Sequence, residues 1–327
     1  MRQNSAVERS WERAYPFIEL GAEELDRLAG AHVTAARPLT SGLRNTNYRL
    51  ELSGGAPVVL RLYVADSDAC ARETALLAAM AGRLPVPRLL RADAAATPPF
   101  ALLEWLAGRP LDEVLAEADA ATALELAAVC GTALARIHET RFPEAGFLGP
   151  EIRIIRPMPA WAPTVLAALA GLVEQRLGPD LSAAVCRTVE ASSGLVEPVW
   201  SKAVLVHADY KPPNLLVRAM PRESSDRPGD DGPARWQMTG ILDWEFACAG
   251  CKLIDFATFL RDEGSRPPGF GDAFGGAYLA AGGTLPAEWR RLTRLVDLLN
   301  LMQMLIWADD GAAVGLRERV AGTVEEC

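Results

Sequence analysis

The sequence is poor in lysine and histidine. Among its 33 lysine and arginine residues only Lys202, Lys211 and Lys252 are lysines, and it contains 3 histidines. Acidic residues outnumber basic ones by 42 to 33, which gives a formal net charge of -9. Affinity for nucleic acids and anionic membranes comes largely from lysine and arginine at phosphates. The charge balance therefore argues against nucleic-acid or membrane partners, and it is compatible with a cationic small molecule.

The 6 cysteines lack the density and regular spacing of a secreted disulfide framework. Cys248 and Cys251 form a CxxC motif, but no second cysteine or histidine pair stands at zinc-site spacing, so we expect reduced thiols in a turn. The first residues lack an apolar signal core, and the most apolar helix-like stretch, 161–173, is too short to cross a bilayer. These absences predict a cytoplasmic protein, and nothing indicates an obligate protein partner.

What the chain does have is enough apolar sequence for a large core, since 50% of its 327 residues are hydrophobic. The amino-terminal part is rich in β-compatible runs separated by glycine, serine or proline: 33–39, 46–52, 57–63 and 100–106. A helix is predicted at 69–82, before a proline break. Later segments show helical periodicity instead: 124–138, 165–177 and 289–307.

This order of elements predicts an α+β fold with two lobes. We expect an amino-terminal lobe at 1–103, formed by an antiparallel sheet plus a helix. A larger, mainly helical lobe follows at 104–327, and the cleft between the lobes is the natural ligand site. The polar segment 218–235, rich in proline, glycine, serine and aspartate, interrupts two strands and is predicted to be a mobile loop.

A set of oxygen-bearing side chains lies at two predicted strand ends. Asp209 is followed five residues later by Asn214, and Asp243 ends the next strand along the chain. Phosphoryl transfer with Mg²⁺ needs one carboxylate to accept or orient a hydroxyl proton, and an amide and a second carboxylate to hold the metal. The pattern therefore predicts a phosphotransfer site.

A second pair of charged residues is predicted in the first lobe. Arg61 is a lone cation on an apolar strand, and Glu73 falls on the apolar stripe of the following helix. Because a buried carboxylate needs a partner, Arg61 is its expected counterion. The pair would hold a guanidinium over the cleft, although Glu73 taken alone fits a helix edge equally well.

With these residues the chain resembles the aminoglycoside phosphotransferase and choline kinase family, small-molecule relatives of protein kinases. The resemblance implies a two-lobed kinase-like fold that binds ATP and Mg²⁺ and phosphorylates a hydroxyl of a small molecule. It also implies that the lobe at 1–103 binds the nucleotide and that the lobe at 104–327 carries catalysis and substrate binding. By the family pattern Asp209 would be the catalytic base or orienter, and Asn214 and Asp243 the metal ligands. His207 would brace the loop, and Asp255 would anchor loop amides.

The resemblance also implies the nucleotide contacts. Arg61 would take the position that lysine holds in protein kinases, and arginine there can grip phosphate oxygens with its charge intact. The segment 41–47 resembles the family's short phosphate-covering loop, with Ser41, Gly42 and Asn45 as contacts, although a hairpin with this composition is common. Adenine is expected at a hinge of Glu104, Trp105 and Leu106.

Three interpretations of function follow. The leading one is an ATP-dependent kinase whose acceptor is aminoglycoside-like or an amino alcohol, with homoserine, macrolides and sugars as further acceptors. The second is a pseudokinase that binds nucleotide or a partner without turnover, and the third is a metal hydrolase, for which 3 histidines are too few. Residues proposed to contact the acceptor, each also compatible with a purely structural place, are Trp244, Asp262, Glu263, Tyr278, Trp307, Asp309 and Asp310. For His138 a hydrogen-bonded core position is expected.

Overall fold

The computed structural model describes residues 15–39, 44–220 and 235–327. Most of the predicted mobile loop, together with Ser41 and Gly42, lies outside the described residues. The ends of that predicted loop are different, because residues 218–220 and 235 belong to paired strands. The loop prediction was therefore too wide at both ends.

The amino-terminal lobe is an antiparallel sheet with a helix on each side. Its strands have the order β1-β2-β3-β5-β4. The elements in chain order are α1 (Ala22–Ala29), β1 (Val33–Leu39), β2 (Thr46–Leu52), β3 (Val58–Leu62), α2 (Ser67–Met80), β4 (Leu89–Asp93) and β5 (Phe100–Glu104). The predicted strands and helix are confirmed, whereas α1 and β4 were missed because both are short.

Alternation along the strands gives this sheet two apolar faces. Leu50 and Leu60 pack with Leu25 and Leu28 of α1 in one buried cluster. The opposite face carries Arg61, which pairs with Ala101 of β5. Ala101 belongs to the same buried cluster as Leu76, Leu77 and Met80 of α2. The sequence pattern thus turns the Arg61 face toward α2 and the cleft.

The remaining chain forms the larger, mainly helical lobe. Its first half contains β6 (Arg109–Pro110), α3 (Leu111–Glu117), α4 (Ala120–Ile137), β7 (Gly146–Leu148), β8 (Ile154–Pro157), α5 (Trp161–Leu169), α6 (Leu172–Leu177) and α7 (Pro179–Trp200). Its second half contains β9 (Val204–Val206), β10 (Leu215–Met220), β11 (Arg235–Ile241), β12 (Cys248–Gly250), α8 (Leu253–Leu260), α9 (Phe270–Ala280), α10 (Trp289–Trp307) and α11 (Asp310–Glu326). Two small sheets lie among the helices, in the orders β11-β10-β6 and β8-β7-β12-β9.

The apolar helix α4 is the centre of this lobe. By length and composition it could cross a membrane, but 50% of it is buried inside the structure. It packs closely on α9, since a Cβ atom at Gly131 would come 2.1 Å from the Phe274 carbonyl oxygen. The helix-like stretch predicted at 161–173 is not continuous, because the chain turns at Gly171 with a φ of +72° and separates α5 from α6.

The hairpin of β10 and β11 brings the predicted catalytic residues together. Leu215 pairs with Ile241, and the amide of Leu242 donates to the carbonyl oxygen of Asn214 at 2.9 Å. The start of β10 therefore lies beside the end of β11. This register places the loop that holds Asp209 next to the loop that holds Asp243.

Candidate active site

His207 braces the loop between β9 and β10. Its Nε2 lies 2.9 Å from the Leu242 carbonyl oxygen, and its Nδ1 accepts from the Asp209 amide at 3.2 Å. These partners assign the donor role to Nε2, since a carbonyl oxygen can only accept. His207 is fully buried and links the two functional loops, as the sequence-based expectation had it.

Asp255 anchors the same loop from below. Its carboxylate accepts from the amides of His207 at 2.9 Å and Ala208 at 2.7 Å, and from His138 Nε2 at 3.0 Å. Ala208 has a φ of +64°, a left-handed conformation that needs such support in a residue other than glycine. Burial lowers the pKa of His138 despite the nearby Asp255, so the neutral ring donates to Asp255 and accepts from the Tyr278 hydroxyl. Both expectations, for the Asp255 anchor and for a core histidine, are confirmed.

Asp209 and Asn214 lie in direct contact. The Asn214 side-chain amide donates to the Asp209 carboxylate at 2.8 Å and to its carbonyl oxygen at 2.9 Å. Lys211 Nζ lies 3.3 Å from Asp209 Oδ1. The sequence reasoning gave Lys211 no place in the site, although a lysine two residues after Asp209 in a chain with so few was a usable signal. A cation beside the predicted base adds positive charge where a phosphate would accept it.

Arg61 connects the two lobes. Its Nη2 donates to Asp243 Oδ1 at 2.6 Å, and its Nε lies 3.2 Å from Glu73 Oε2. The predicted Arg61–Glu73 pair is therefore present, and Glu73 is only 2% exposed. Burial by itself raises the pKa of Asp243, but the Arg61 guanidinium brings it below its usual value. Asp243 is thus a carboxylate at the junction of the lobes.

The loop 243–246 is fixed to the amino-terminal lobe by several further bonds that the sequence did not reveal. Glu245 accepts from Asn45 Nδ2 at 2.8 Å, and its carbonyl oxygen accepts from Arg72 Nη2 at 3.0 Å. The Trp244 amide donates to Glu73 Oε1 at 3.2 Å. Burial, and then the neighbouring Asp243, raise the pKa of Glu245 to about 7. Asn45, predicted as a nucleotide contact, is here a partner of this loop.

Two site residues keep oxygens suited to a divalent cation. Asn214 uses its amide nitrogen on Asp209 and Asp243 uses Oδ1 on Arg61, so Asn214 Oδ1 and Asp243 Oδ2 have no hydrogen-bond partner in the described part of the chain. Mg²⁺ in kinases is bound by one or two protein oxygens together with substrate phosphates. The donor set fits that ion. No group of three histidine, cysteine, aspartate or glutamate side chains suited to a metal occurs among the described residues.

The predicted hinge residues lie apart from this polar cluster. Glu104 ends β5, and its amide donates to the Arg88 carbonyl oxygen at 2.9 Å. Trp105 stacks with Arg49, whose guanidinium carbon is 4.6 Å from the ring centroid. Leu106 approaches β11, since a Cβ at Gly240 would be 3.1 Å from Leu106 Cδ1. The hinge therefore borders the cleft beside the β10–β11 hairpin.

Most of the residues considered for acceptor contacts have structural partners. Asp262 pairs with Arg319, and Glu263 pairs with Arg290 at 3.1 Å. Trp244 and Tyr278 are fully buried. Asp309 caps α11 by accepting from the Ala312 amide at 2.7 Å. Trp307, in contrast, is 74% exposed, and Asp310 is exposed as well.

The CxxC cysteines are core residues. Cys248 lies on β12 and Cys251 follows it, and both are buried. Burial raises the pKa of both thiols to about 12, which keeps them protonated at neutral pH. Both are free and buried, and Cys248 lies on a strand where a turn was expected, because this segment pairs with β7 and β9.

A family model described as the phosphotransferase enzyme family matches residues 35–295. Among curated proteins, none matches the chain significantly. The matched segment contains every predicted site residue from Ser41 to Asp243. It begins in β1 and ends within α10, and so includes both lobes.

Solved structures of several small-molecule kinases share the fold. A putative fructosamine-3-kinase from Thermobifida fusca YX-ER1 is 20% identical with a TM-score of 0.59, and the match covers 93% of this chain and 98% of the fructosamine-3-kinase chain. A thermostable mutant of aminoglycoside phosphotransferase APH(4)-Ia, in ternary complex with ADP and hygromycin B, is 20% identical with a TM-score of 0.62, covering 93% and 97%. Macrolide 2'-phosphotransferase MphH from Brachybacterium faecium has the same identity, coverage and TM-score. At this identity the likeness establishes a two-lobed, kinase-like fold.

Proposed function

The chain belongs to the phosphotransferase enzyme family, and on that premise we propose that it is a Mg²⁺-dependent kinase that transfers the γ-phosphate of ATP to a hydroxyl of a small molecule. The observation that carries this proposal is the convergence of Asp209, Asn214 and Asp243 with the Arg61–Glu73 pair. The outermost of these residues, Arg61 and Asp243, lie 182 positions apart, and the set comes from both lobes. The structural neighbours include a complex with ADP, which supports nucleotide use.

Asp209 is the proposed base and orienting group for the acceptor hydroxyl. Its carboxylate is 18% exposed, so it is reachable from the cleft while Asn214 and Lys211 fix its position. A carboxylate so held can accept a hydrogen bond from an incoming alcohol and direct the oxygen at phosphorus. Lys211 then lies where negative charge on the transferring group would develop.

Arg61 is the proposed ligand of the nucleotide phosphates. Glu73 and Tyr63 hold its orientation, since the Tyr63 hydroxyl donates to Glu73 Oε2 at 2.7 Å. Asn214 and Asp243 would hold Mg²⁺, which when bound neutralises phosphate charge and orients the leaving oxygen. Arg61 must then shift from Asp243 to phosphate oxygens, which are equivalent anionic acceptors for its fork of donors.

For the acceptor we propose an amino-bearing alcohol, either aminoglycoside-like or a simpler amino alcohol. The formal net charge of -9 supports a cationic substrate, and an aminoglycoside phosphotransferase is among the structural neighbours. Macrolides and sugars fall within the same proposal as wider acceptors, because a macrolide phosphotransferase and a putative fructosamine kinase are neighbours as well. We also propose a cytoplasmic location, where ATP is available. The proposed nucleotide lobe is 1–103, and the proposed catalytic lobe is 104–327.

The test is phosphotransfer by the purified protein with ATP and Mg²⁺ against amino alcohols, aminoglycosides, macrolides and sugars, with ADP release and product mass as readouts. Exchanging Asp209 for Ala should lower turnover by about two to four orders of magnitude. Asp180→Asn, at an exposed aspartate in the first turn of α7, is the matched control and should leave turnover unchanged.

Nucleotide binding measured with and without Mg²⁺, together with this assay, separates a kinase from a pseudokinase. Nucleotide affinity that does not depend on Mg²⁺, with no product from any acceptor, would favour the pseudokinase interpretation. Phosphotransfer by Asp209→Ala at the level of the unchanged protein would contradict the role of Asp209.

A further inference from the structure

Arg44 lies beside the loop that carries the proposed metal ligand. Its Nε is 3.8 Å from Glu245 Oε1, and its guanidinium carbon is 5.2 Å from the centroid of the Phe246 ring. The next residue, Asn45, binds the same carboxylate, with its Nδ2 donating to Glu245 Oε2 at 2.8 Å. The Arg44 side chain as a whole is 40% exposed.

The hydrogen-bonding capacity of Arg44 is incompletely used. Its Nε is buried and makes no hydrogen bond within the described part of the chain. A separation of 3.8 Å from the Glu245 carboxylate is too long for a hydrogen bond. Charge attraction and stacking on Phe246 therefore hold the guanidinium in place, while its donors stay available for another acceptor.

Glu245 lies between two guanidinium groups. Its Oε1 faces Arg44 at 3.8 Å, and its Oε2 faces Arg61 at 3.7 Å. Arginine binds a planar carboxylate and a tetrahedral phosphate with the same fork of donors. Arg44 and Arg61 can therefore both approach one anion at this place, next to Asp243.

We propose that Arg44 is a second phosphate-binding arginine of the nucleotide site, which together with Arg61 holds the β- and γ-phosphates of the bound nucleotide. The proposal rests on the kinase function proposed above and adds a residue to it. Arg44 turns from the long contact with Glu245 to the phosphate oxygens, and Phe246 guides the guanidinium as a stacking surface. The adenosine end of the nucleotide lies toward the hinge and receives nothing from Arg44.

The experiment compares ATP, ADP and AMP binding to the intact protein and to Arg44→Gln by isothermal titration calorimetry with Mg²⁺. A charged hydrogen bond contributes about 1.5–3 kcal/mol, so the affinity for ATP and ADP should fall by about tenfold or more. Affinity for AMP should change less than about twofold, since AMP lacks both distal phosphates. Arg44→Lys keeps the charge but loses the fork, and should show an intermediate loss. Arg83→Gln, an exposed arginine after α2, is the control for removal of one charge.

A purely structural role for Arg44, as the counterion of Glu245, predicts different results. In that case Glu245→Gln would remove the need for Arg44, and the double variant would bind ATP as Glu245→Gln alone does. ATP affinity of the double variant equal to that of Glu245→Gln overturns the proposal. An equal loss of affinity for ATP and for AMP in Arg44→Gln overturns it as well. If the unchanged protein binds no nucleotide at all, the kinase proposal itself fails. If it binds ATP and Arg44→Gln binds it equally well, the role of Arg44 alone is refuted.

Discussion

Replacing Asp255 by asparagine should destabilise the protein strongly, although the two side chains have nearly the same shape. The Asp255 carboxylate is fully buried and accepts three hydrogen bonds, from His138 Nε2 and from the amides of His207 and Ala208. Asparagine offers one acceptor oxygen in place of two. In the better orientation its oxygen keeps His138 and His207, and its NH₂ group faces the Ala208 N–H.

The cost follows from these contacts. One hydrogen bond to a charged acceptor, about 1.5–3 kcal/mol, is lost, and two others weaken to neutral bonds of about 0.5–1.5 kcal/mol. We therefore expect Asp255→Asn to lower the free energy of unfolding by about 3–5 kcal/mol, a large part of a typical stability of about 5–15 kcal/mol. Turnover should fall as well, because Ala208 loses the bond that supports its positive φ.

Urea denaturation, followed by tryptophan fluorescence, measures the change. The control is Asp262→Asn at the end of α8, where a side chain 39% exposed pairs with Arg319 and the expected loss is below about 1 kcal/mol. Hydrogen exchange at the Ala208 amide reports the local effect. A midpoint for Asp255→Asn equal to that of the control would refute the anchoring role.

Two further predictions concern titration and thiol chemistry. The pKa of Glu245 in the folded protein is about 7, above the ordinary value of 4.5. Between these pH values the folded state therefore binds more protons than the unfolded state, and the contribution of Glu245 to stability falls as pH rises. As pH rises from 4.5 to 8, the stability of Glu245→Gln relative to the unchanged protein should accordingly increase, as measured by unfolding midpoints. Midpoints that change in parallel with pH for the two proteins would contradict this. Alkylation at neutral pH should modify only Cys186 and Cys327, which are partly exposed, until denaturant releases the four buried thiols. Mass spectrometry counts the modified cysteines, and rapid native labelling of Cys248 would disprove their burial.

Local patterns predicted much of the architecture. Strands β1 and β2 and helix α10 begin and end where alternation or helical periodicity placed them. The break between α5 and α6 was missed, because the apolar pattern continues through it, whereas the backbone is extended at Ala170 and has a positive φ at Gly171. Short elements such as β4 were missed for a similar reason, since a few residues paired at a sheet edge carry little periodic signal.

The sequence by itself determined the residue types and spacing of the candidate site, because the loop from His207 to Asn214 is continuous in the chain and the hydrogen bonds within it span 2 to 5 residues. It also indicated that Glu73, on the apolar stripe of its helix, needs a counterion and that Arg61 is the expected one. Only the tertiary structure decided that Arg61 reaches Asp243 as well as Glu73, and that Arg44 and Asn45 meet Glu245. Those contacts join residues about 180–200 positions apart, and their geometry depends on how the two lobes pack, which no local pattern encodes.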